Sequence, residues 1–104
     1  MEDKVLNLLG LALKAGFIAS GEDNVIIEIR KKKAKIVFVG NDSSLRTIDN
    51  FKRKCYFYKV ECNLRYSSEE LSKAIGKSRN IVALTDQGFY KSLEKYLRGK
   101  EEWK

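Results

Sequence analysis

The chain has 104 residues, 43% of them apolar and 34% charged, and a formal net charge of +7. This length supports one compact domain over residues 1–104 and is too short for two. No apolar run approaches the roughly 18 residues of a membrane span, and the charged N-terminus has no signal-peptide cleavage pattern. We therefore expect a cytoplasmic protein with no membrane partner.

The first third of the chain predicts a helix, a short strand and a second helix. Apolar residues in DKVLNLLGLALKAG (3–16) recur at helical spacing, and Gly16 suits the position after a helix end. The short apolar run 17–20 predicts a strand that ends at Gly21. Residues 24–34 predict the second helix, which closes with four cations that complement the negative end of a helix dipole.

The middle of the chain predicts a buried strand, a helix and a weaker strand. Residues 35–40 (KIVFVG) are largely apolar and β-branched, which is typical of a strand buried on both faces. The NDSS segment that follows offers a cap for a third helix from about Ser44 to Lys54. A weaker strand lies within residues 58–66.

The last third predicts two more helices around another buried strand. Ser67 and Glu70 have the spacing of a capping box, so a fourth helix starts there and stops at Gly76. Residues 80–85 predict a buried strand, and residues 89–97 predict a final helix. Strands that alternate with helices predict an α/β fold with helices on both faces of a four-stranded sheet.

The residue types argue against an enzyme, a metal site or a cofactor. Histidine is absent, which removes the commonest general base at neutral pH and the partner for a Cys/His pair. Cys55 and Cys62 are expected to be free thiols. Asp86 follows a buried strand and is the one candidate for catalysis, but Thr85 or Asp86 also suits the cap of the last helix.

Charge is concentrated in one quarter of the sequence. Between Arg30 and Lys54 there are nine basic and two acidic residues, which account for the whole net charge of +7, and the remaining twelve basic and twelve acidic residues balance. Such a patch is typical of a nucleic-acid binder. The predicted secondary basic patch consists of Arg30, Lys31, Lys32, Lys33, Lys35, Lys52, Arg53 and Lys54.

The order of elements resembles a known family. The segments KAKIVFVGND (33–42) and IGKSRNIVALTDQGF (75–89) carry the resemblance most specifically. They are similar to the bacterial YlxQ-like branch of the ribosomal-protein superfamily of kink-turn RNA binders, over about Leu8 to Leu93. The resemblance implies a three-layer α/β/α sandwich with a mixed sheet, here four-stranded, and kink-turn or related RNA as the ligand. Together with the residue types it predicts a non-catalytic protein that contacts ribosomal or other structured RNA, and we expect a monomer.

The resemblance also implies where RNA binds: at the helix start after the first strand and at the loop before the last strand. Gly21 matches the family glycine, Asp23 stands for an asparagine, Asn24 for a glutamate that accepts hydrogen bonds from guanine edges, and Ile27 for a lysine that contacts phosphate. The candidate RNA-binding residues are Gly21, Glu22, Asp23, Asn24, Gly76, Lys77, Ser78, Arg79 and Asn80.

Connectivity predicts two separate edges. If the last strand is antiparallel to its neighbours, as the resemblance implies, the loop 76–80 joins Gly21 at one edge. The clusters Arg30–Lys35 and Lys52–Lys54 then share the opposite edge as an electrostatic RNA contact. The alternative is that both clusters only complement helix C-termini. Two other functions stay open: a small enzyme that uses Asp86, and a protein-interaction module whose acidic helix start meets a basic partner.

Overall fold

A computed structural model describes residues 3–102, with the side chains of residues 3–98. Within that range the helices are α1 (Lys4–Lys14), α2 (Glu22–Arg30), α3 (Leu45–Tyr58), α4 (Ser68–Ile75) and α5 (Gln87–Glu102). The strands are β1 (Ile18–Ser20), β2 (Ile36–Val39), β3 (Glu61–Asn63) and β4 (Ile81–Leu84). In the described range, no helix is long and apolar enough to cross a membrane.

The four strands form one mixed sheet in the order β1-β4-β2-β3. β4 is antiparallel to both β1 and β2, whereas β2 and β3 are parallel. Helices α1, α4 and α5 cover one face, and α2 and α3 cover the other. The predicted three-layer α/β/α sandwich with a mixed four-stranded sheet is therefore confirmed.

The two central strands, β2 and β4, contribute side chains to two hydrophobic cores, one on each face of the sheet. Along β2, Ile36 and Phe38 face the α1/α4/α5 layer, and Val37 and Val39 face the α2/α3 layer. β4 alternates in the same way, and all eight residues of the two strands are buried. This confirms the prediction that both strands are buried on both faces.

The two ends of the sheet differ in the segments they carry. At one end, where β1 and β2 finish and β4 begins, lie Gly21 and the loop 76–80. We term this the Gly21 end. At the other end Lys35 precedes β2 and donates its N–H to Leu84 O, in the last residue of β4. We term this the Lys35 end.

The predicted bounds of three helices are wrong, and the last of them, α5, runs from Gln87 to Glu102 rather than over residues 89–97. α2 begins at Glu22 and ends at Arg30, rather than covering residues 24–34. α3 continues to Tyr58 instead of ending near Lys54. The extra turn forms because Cys55 is buried in the second core and Tyr58 packs against it, which extends the apolar stripe of the helix. The cluster Lys52–Lys54 therefore lies within α3, about 6 Å before its end at 1.5 Å per residue.

The start of α4 is fixed to the end of β2. The Asp42 carboxylate accepts hydrogen bonds from Ser68 N (2.9 Å) and Ser68 Oγ (2.7 Å). A Cβ on Gly40 would collide with Ser68 Oγ, so only glycine allows this close approach. The capping box of Ser67 and Glu70 is present as predicted.

The start of α1 is tied to the segment before α4 through one buried hydroxyl. Tyr66 is 3% exposed, and its Oη donates to both Asp3 carboxylate oxygens at 3.0 and 3.1 Å. Asp3 also caps α1 by accepting from Val5 N and Leu6 N. Burial, followed by the hydrogen bond to Asp3, raises the pKa of Tyr66.

We expect Tyr66→Phe to lower the free energy of unfolding by about 1–2 kcal/mol, because it removes a buried hydrogen bond to a carboxylate. Urea unfolding followed by circular dichroism measures this. Tyr56→Phe is the matched control, since Tyr56 is 87% exposed. Equal stability of the two variants would contradict the role given to the Tyr66 hydroxyl.

We expect Asp42→Asn to lower Tm at neutral pH but not at strongly acidic pH. The hydrogen bonds from Ser68, side chain first and backbone second, hold the pKa of the Asp42 carboxyl below its usual range. A lowered folded-state pKa contributes stability above the unfolded pKa, and this stability is lost as pH falls through the folded pKa. Thermal unfolding across the acid range measures it, with Asp49→Asn as the exposed control. A Tm difference that stays constant down to the acid limit would contradict this origin.

Candidate nucleic-acid interface

Gly21 opens α2 with a backbone that favours glycine. Its φ of 90° and ψ of 153° lie in a region that side chains disfavour, and no side chain caps the helix. Its N–H donates to Ile81 O at 3.0 Å, which fixes the helix start to the first residue of β4. The N–H groups of the first turn have no partner within the helix and face outward as donors.

The three residues after Gly21 are exposed and rich in acceptors. Asn24 Nδ2 donates to Ser20 O at 3.1 Å, so its Oδ1 is the atom left for an outside donor. In the part of the chain that the structure describes, neither Glu22 nor Asp23 forms an ion pair or side-chain hydrogen bond. Both carboxylates also lie at the positive end of the α2 dipole, which stabilises them without any ligand.

The loop 76–80 is held in place by α4. Gly76 ends that helix in the left-handed conformation, with φ of 74°. The Ser72 hydroxyl accepts from Arg79 N and donates to Arg79 O, both at 2.9 Å. Asn80 Nδ2 donates to Ser43 Oγ at 3.1 Å, and Asn80 O accepts from Gly40 N at 2.8 Å. Arg79 and Asn80 therefore have a fixed backbone.

The helix start and the loop lie side by side. Arg79 Nε lies 3.7 Å from the position that a Cβ on Gly21 would occupy. Lys77 and Ser78 are exposed beside it, and the Arg79 guanidinium donates to Ser78 O at 2.9 Å. Because β4 is antiparallel to β1, the start of α2 and the loop 76–80 lie next to each other, as predicted. Ile27 is 45% exposed on the outer side of α2.

Sequence reasoning missed the supporting residues of this end. Ser72 stands one turn before Gly76, and Ser43 follows β2 in a segment interpreted only as a helix cap. Their spacing is ordinary for helix and turn residues, so the spacing does not show that they would hold the loop in place. The single signal was the NDSS segment itself, whose polar residues follow a buried strand.

The basic residues lie on the rest of the α2/α3 layer. Arg30 and Lys31–Lys33 are exposed at the end of α2, and Lys35 is half-buried at the Lys35 end. Lys52 and Arg53 are exposed within α3, whereas Lys54 is half-buried. The residue that caps the C-terminal end of α3 is Lys59, which the sequence analysis did not identify. Lys59 lines one groove with Lys32 and Lys35.

Asp86 has a structural role. Its Oδ2 accepts from Phe89 N at 2.9 Å, which caps α5, and Thr85 Oγ1 donates to Phe17 O at 3.1 Å. The capping interpretation of Asp86 is thus confirmed.

Among the residues the structure describes, no three His, Cys, Asp or Glu side chains are grouped so that they could hold a metal ion.

Known proteins resemble the chain in sequence over most of its length. The "RNA-binding protein YlxQ" of Enterococcus faecium is 42% identical over 96 residues, which cover 92% of this chain and 93% of that protein. The "RNA-binding protein YlxQ" of Bacillus subtilis (strain 168) is 46% identical over 87 residues, covering 83% and 87%. The resemblance predicted from the sequence is therefore confirmed.

Solved structures share the fold. A protein with unknown function from Bacillus halodurans C has a TM-score of 0.86 at 29% identity, with 92% of this chain and 98% of that chain covered. The Giardia lamblia 15.5kD RNA binding protein has a TM-score of 0.75 at 16% identity, with 98% and 91% covered. At that identity the second likeness concerns the fold alone. The model of the ribosomal protein L7Ae/L30e/S12e/Gadd45 family matches residues 3–94, so the chain belongs to this family.

Proposed function

We propose that this chain is a non-catalytic RNA-binding protein whose Gly21 end contacts structured RNA, with a kink-turn or a related ribosomal element as the preferred ligand. The observation that carries the proposal is the contact of the uncapped α2 start with the clamped loop 76–80. Its residues are Gly21, Glu22, Asp23, Asn24, Gly76, Lys77, Ser78, Arg79 and Asn80. Relatives at 42% and 46% identity that are named RNA-binding proteins support it.

Acceptors at the helix start suit the edges of unpaired or sheared guanines. The guanine N1–H and N2–H groups are donors, and a carbonyl or carboxylate oxygen accepts them. The hydrogen bond from Asn24 Nδ2 to Ser20 O fixes the orientation of the amide, so that Asn24 Oδ1 is available as such an acceptor before RNA binds. Asn24 can thereby take the part of the family glutamate, and Asp23 adds a second acceptor beside it.

Donors and cations at the same end suit phosphates. The free N–H groups at the start of α2 and the exposed Lys77 provide donors, and Arg79 adds a planar guanidinium close to Gly21. Because Ser72 holds the Arg79 backbone, the loop is already ordered before RNA arrives. Binding then costs less conformational entropy than the ordering of a free loop would.

The proposal includes the absence of catalysis and a cytoplasmic monomer. The Asp86 carboxylate, the candidate for an enzyme, is engaged as the cap of α5. Cys55 is a buried free thiol and Cys62 a half-buried one, which suits a reducing compartment. One chain supplies both segments of the Gly21 end, so the proposed site needs no second copy.

We expect the protein to bind a kink-turn RNA at least about tenfold more tightly than a mutant RNA that lacks the sheared G·A pairs, since base contacts are worth about 1–3 kcal/mol each. Gel shifts at two salt concentrations measure both affinities. Equal affinity would reject kink-turn recognition and keep RNA binding, and no shift at low salt would reject both.

We expect Asn24→Ala to weaken kink-turn binding by about 1–3 kcal/mol and to bring the affinity close to that for the RNA lacking G·A pairs. Asn24 is exposed, so the fold should keep its Tm. Asn50→Ala, on α3, is the matched control and should leave both affinities unchanged. Unaltered discrimination in Asn24→Ala would show that this amide does not read the RNA.

A further inference from the structure

A shallow groove at the Lys35 end gathers cations and aromatic rings. Its volume is about 320 Å³, and its lining includes Lys32, Lys35, Lys59, Tyr58 and Tyr90. Among the side chains that the structure describes, none that lines it is acidic. The neighbouring Glu61 is already engaged, because its Oε1 accepts from Tyr90 Oη at 2.8 Å and lies 3.7 Å from Arg98. The groove is therefore lined by positive charge, and Lys32 and Lys35 also border a second pocket that Glu28 lines.

Two lysines of this groove have an unusual backbone. Lys32 has φ of 62° and Lys59 has φ of 60°, and they are the two non-glycine residues with positive φ in the described part of the chain. Lys59 is the C-cap of α3, and Lys32 follows Lys31, the C-cap of α2. At such positions after a helix, glycine is the common choice. Lys32 and Lys59 therefore place a positive charge at two positions where the backbone favours glycine. Both side chains line the same groove.

Two exposed aromatic rings precede the groove residue Tyr58 in the last turn of α3. The Phe57 ring meets the ring of Tyr58 edge-on, with centroids 5.0 Å apart. Phe57 is 76% exposed and Tyr56 is 87% exposed, although neither ring is needed to fill a core. Lys52 and Arg53 each lie four residues before one of these rings, on the same side of the helix. α3 carries four cations and one acid, Asp49.

Helix-end stabilisation explains only part of this arrangement. A cation near a helix C-terminus favours the dipole, and this accounts for a lysine at either end. It does not account for exposed rings next to the cations, or for two lysines in left-handed conformations that converge on one groove. A ligand that matches the lysines and the exposed rings together must alternate phosphates with flat apolar faces. Unpaired nucleotides do so, because each has a phosphate and an unstacked base.

We infer that this cationic-aromatic surface, formed by Lys32, Lys35, Tyr56, Phe57, Tyr58 and Lys59, binds unpaired nucleotides. The lysines contact phosphates, and Tyr56 and Phe57 stack on bases. The inference rests on the proposed function in one respect: the unpaired nucleotides belong to the same RNA whose structured part occupies the Gly21 end. A duplex would offer phosphates but would hide the faces of its bases.

The first experiment measures the affinity for a labelled oligouridylate of about eight nucleotides by fluorescence anisotropy, at several salt concentrations. The test variant combines Lys32→Gly and Lys59→Gly. We expect a loss of affinity of about tenfold and a salt slope smaller by about 1.4, because two phosphate contacts to a single strand disappear. Tm should stay equal or rise, because glycine suits both left-handed positions. A purely structural role of the two lysines would instead lower Tm and leave the affinity unchanged.

The matched control is Lys4→Ala with Lys95→Ala, which removes two exposed charges from α1 and α5, in the other helical layer. We expect its affinity to stay within about twofold of the unaltered chain, because neither lysine lines the groove. If the control lost as much affinity as the groove variant, the affinity would depend on net charge alone, and the inference would be overturned.

A second variant, Tyr56→Ala with Phe57→Ala, separates stacking from charge. We expect it to lose at least about tenfold in oligouridylate affinity with an unchanged salt slope, since stacked bases contribute without releasing counterions. Its affinity for inorganic polyphosphate, which has no bases, should not change. Unaltered oligouridylate binding in this variant would overturn the stacking assignment, and binding of oligoglutamate in place of oligouridylate would overturn the inference in favour of an acidic protein partner.

The two proposals fail separately. Asn24→Ala should bind oligouridylate like the unaltered chain, because Asn24 lies at the Gly21 end. If kink-turn RNA does not bind but oligouridylate binding depends on Lys32 and Lys59, the proposed function is wrong and the cationic-aromatic surface stands. If kink-turn RNA binds and oligouridylate does not, only the further inference is wrong.

Discussion

The antiparallel position of β4 between β1 and β2 is the constraint on which the rest of the molecule depends. β4 begins where both neighbours end, so Ile81 O accepts from Gly21 N and Asn80 O accepts from Gly40 N. Segments that are far apart in the chain meet through these two bonds. Burial of β4 on both faces makes the pairing hard to shift, because a slip by one residue would move apolar side chains from one core to the other.

The same topology separates two chemically different ends. The Gly21 end combines acceptors with cations and has a backbone fixed by Ser72 and Gly40, which suits discrimination among RNA structures. The Lys35 end combines cations with exposed rings such as Tyr56, which suits affinity for a flexible strand. In the two proposals the second end attracts phosphates and the first reads bases. Lys32 and Lys35 of the second end belong to the quarter of the sequence that carries the net charge of +7.

Preorganisation is a common feature of the Gly21 end. The Ser72 hydroxyl holds both backbone groups of Arg79, the Asp42 carboxylate holds the start of α4, and Ser20 O holds the Asn24 amide. None of these partners is a cation or an aromatic ring, and Asp42 is itself exposed. They fix the positions of the residues in the proposed site, so that less ordering is left to occur on binding.

The sequence by itself determined the alternation of strands and helices, the two doubly buried strands and the Ser67 capping box, because periodicity and capping are local properties. The tertiary structure decided what depends on packing. α3 runs past Lys54 because Cys55 and Tyr58 are buried against the sheet, and Lys59 ends it in a conformation that residue type does not predict. The orientation of the Asn24 amide was likewise undetermined, since hydrogen-bond direction depends on neighbours that only the folded chain supplies.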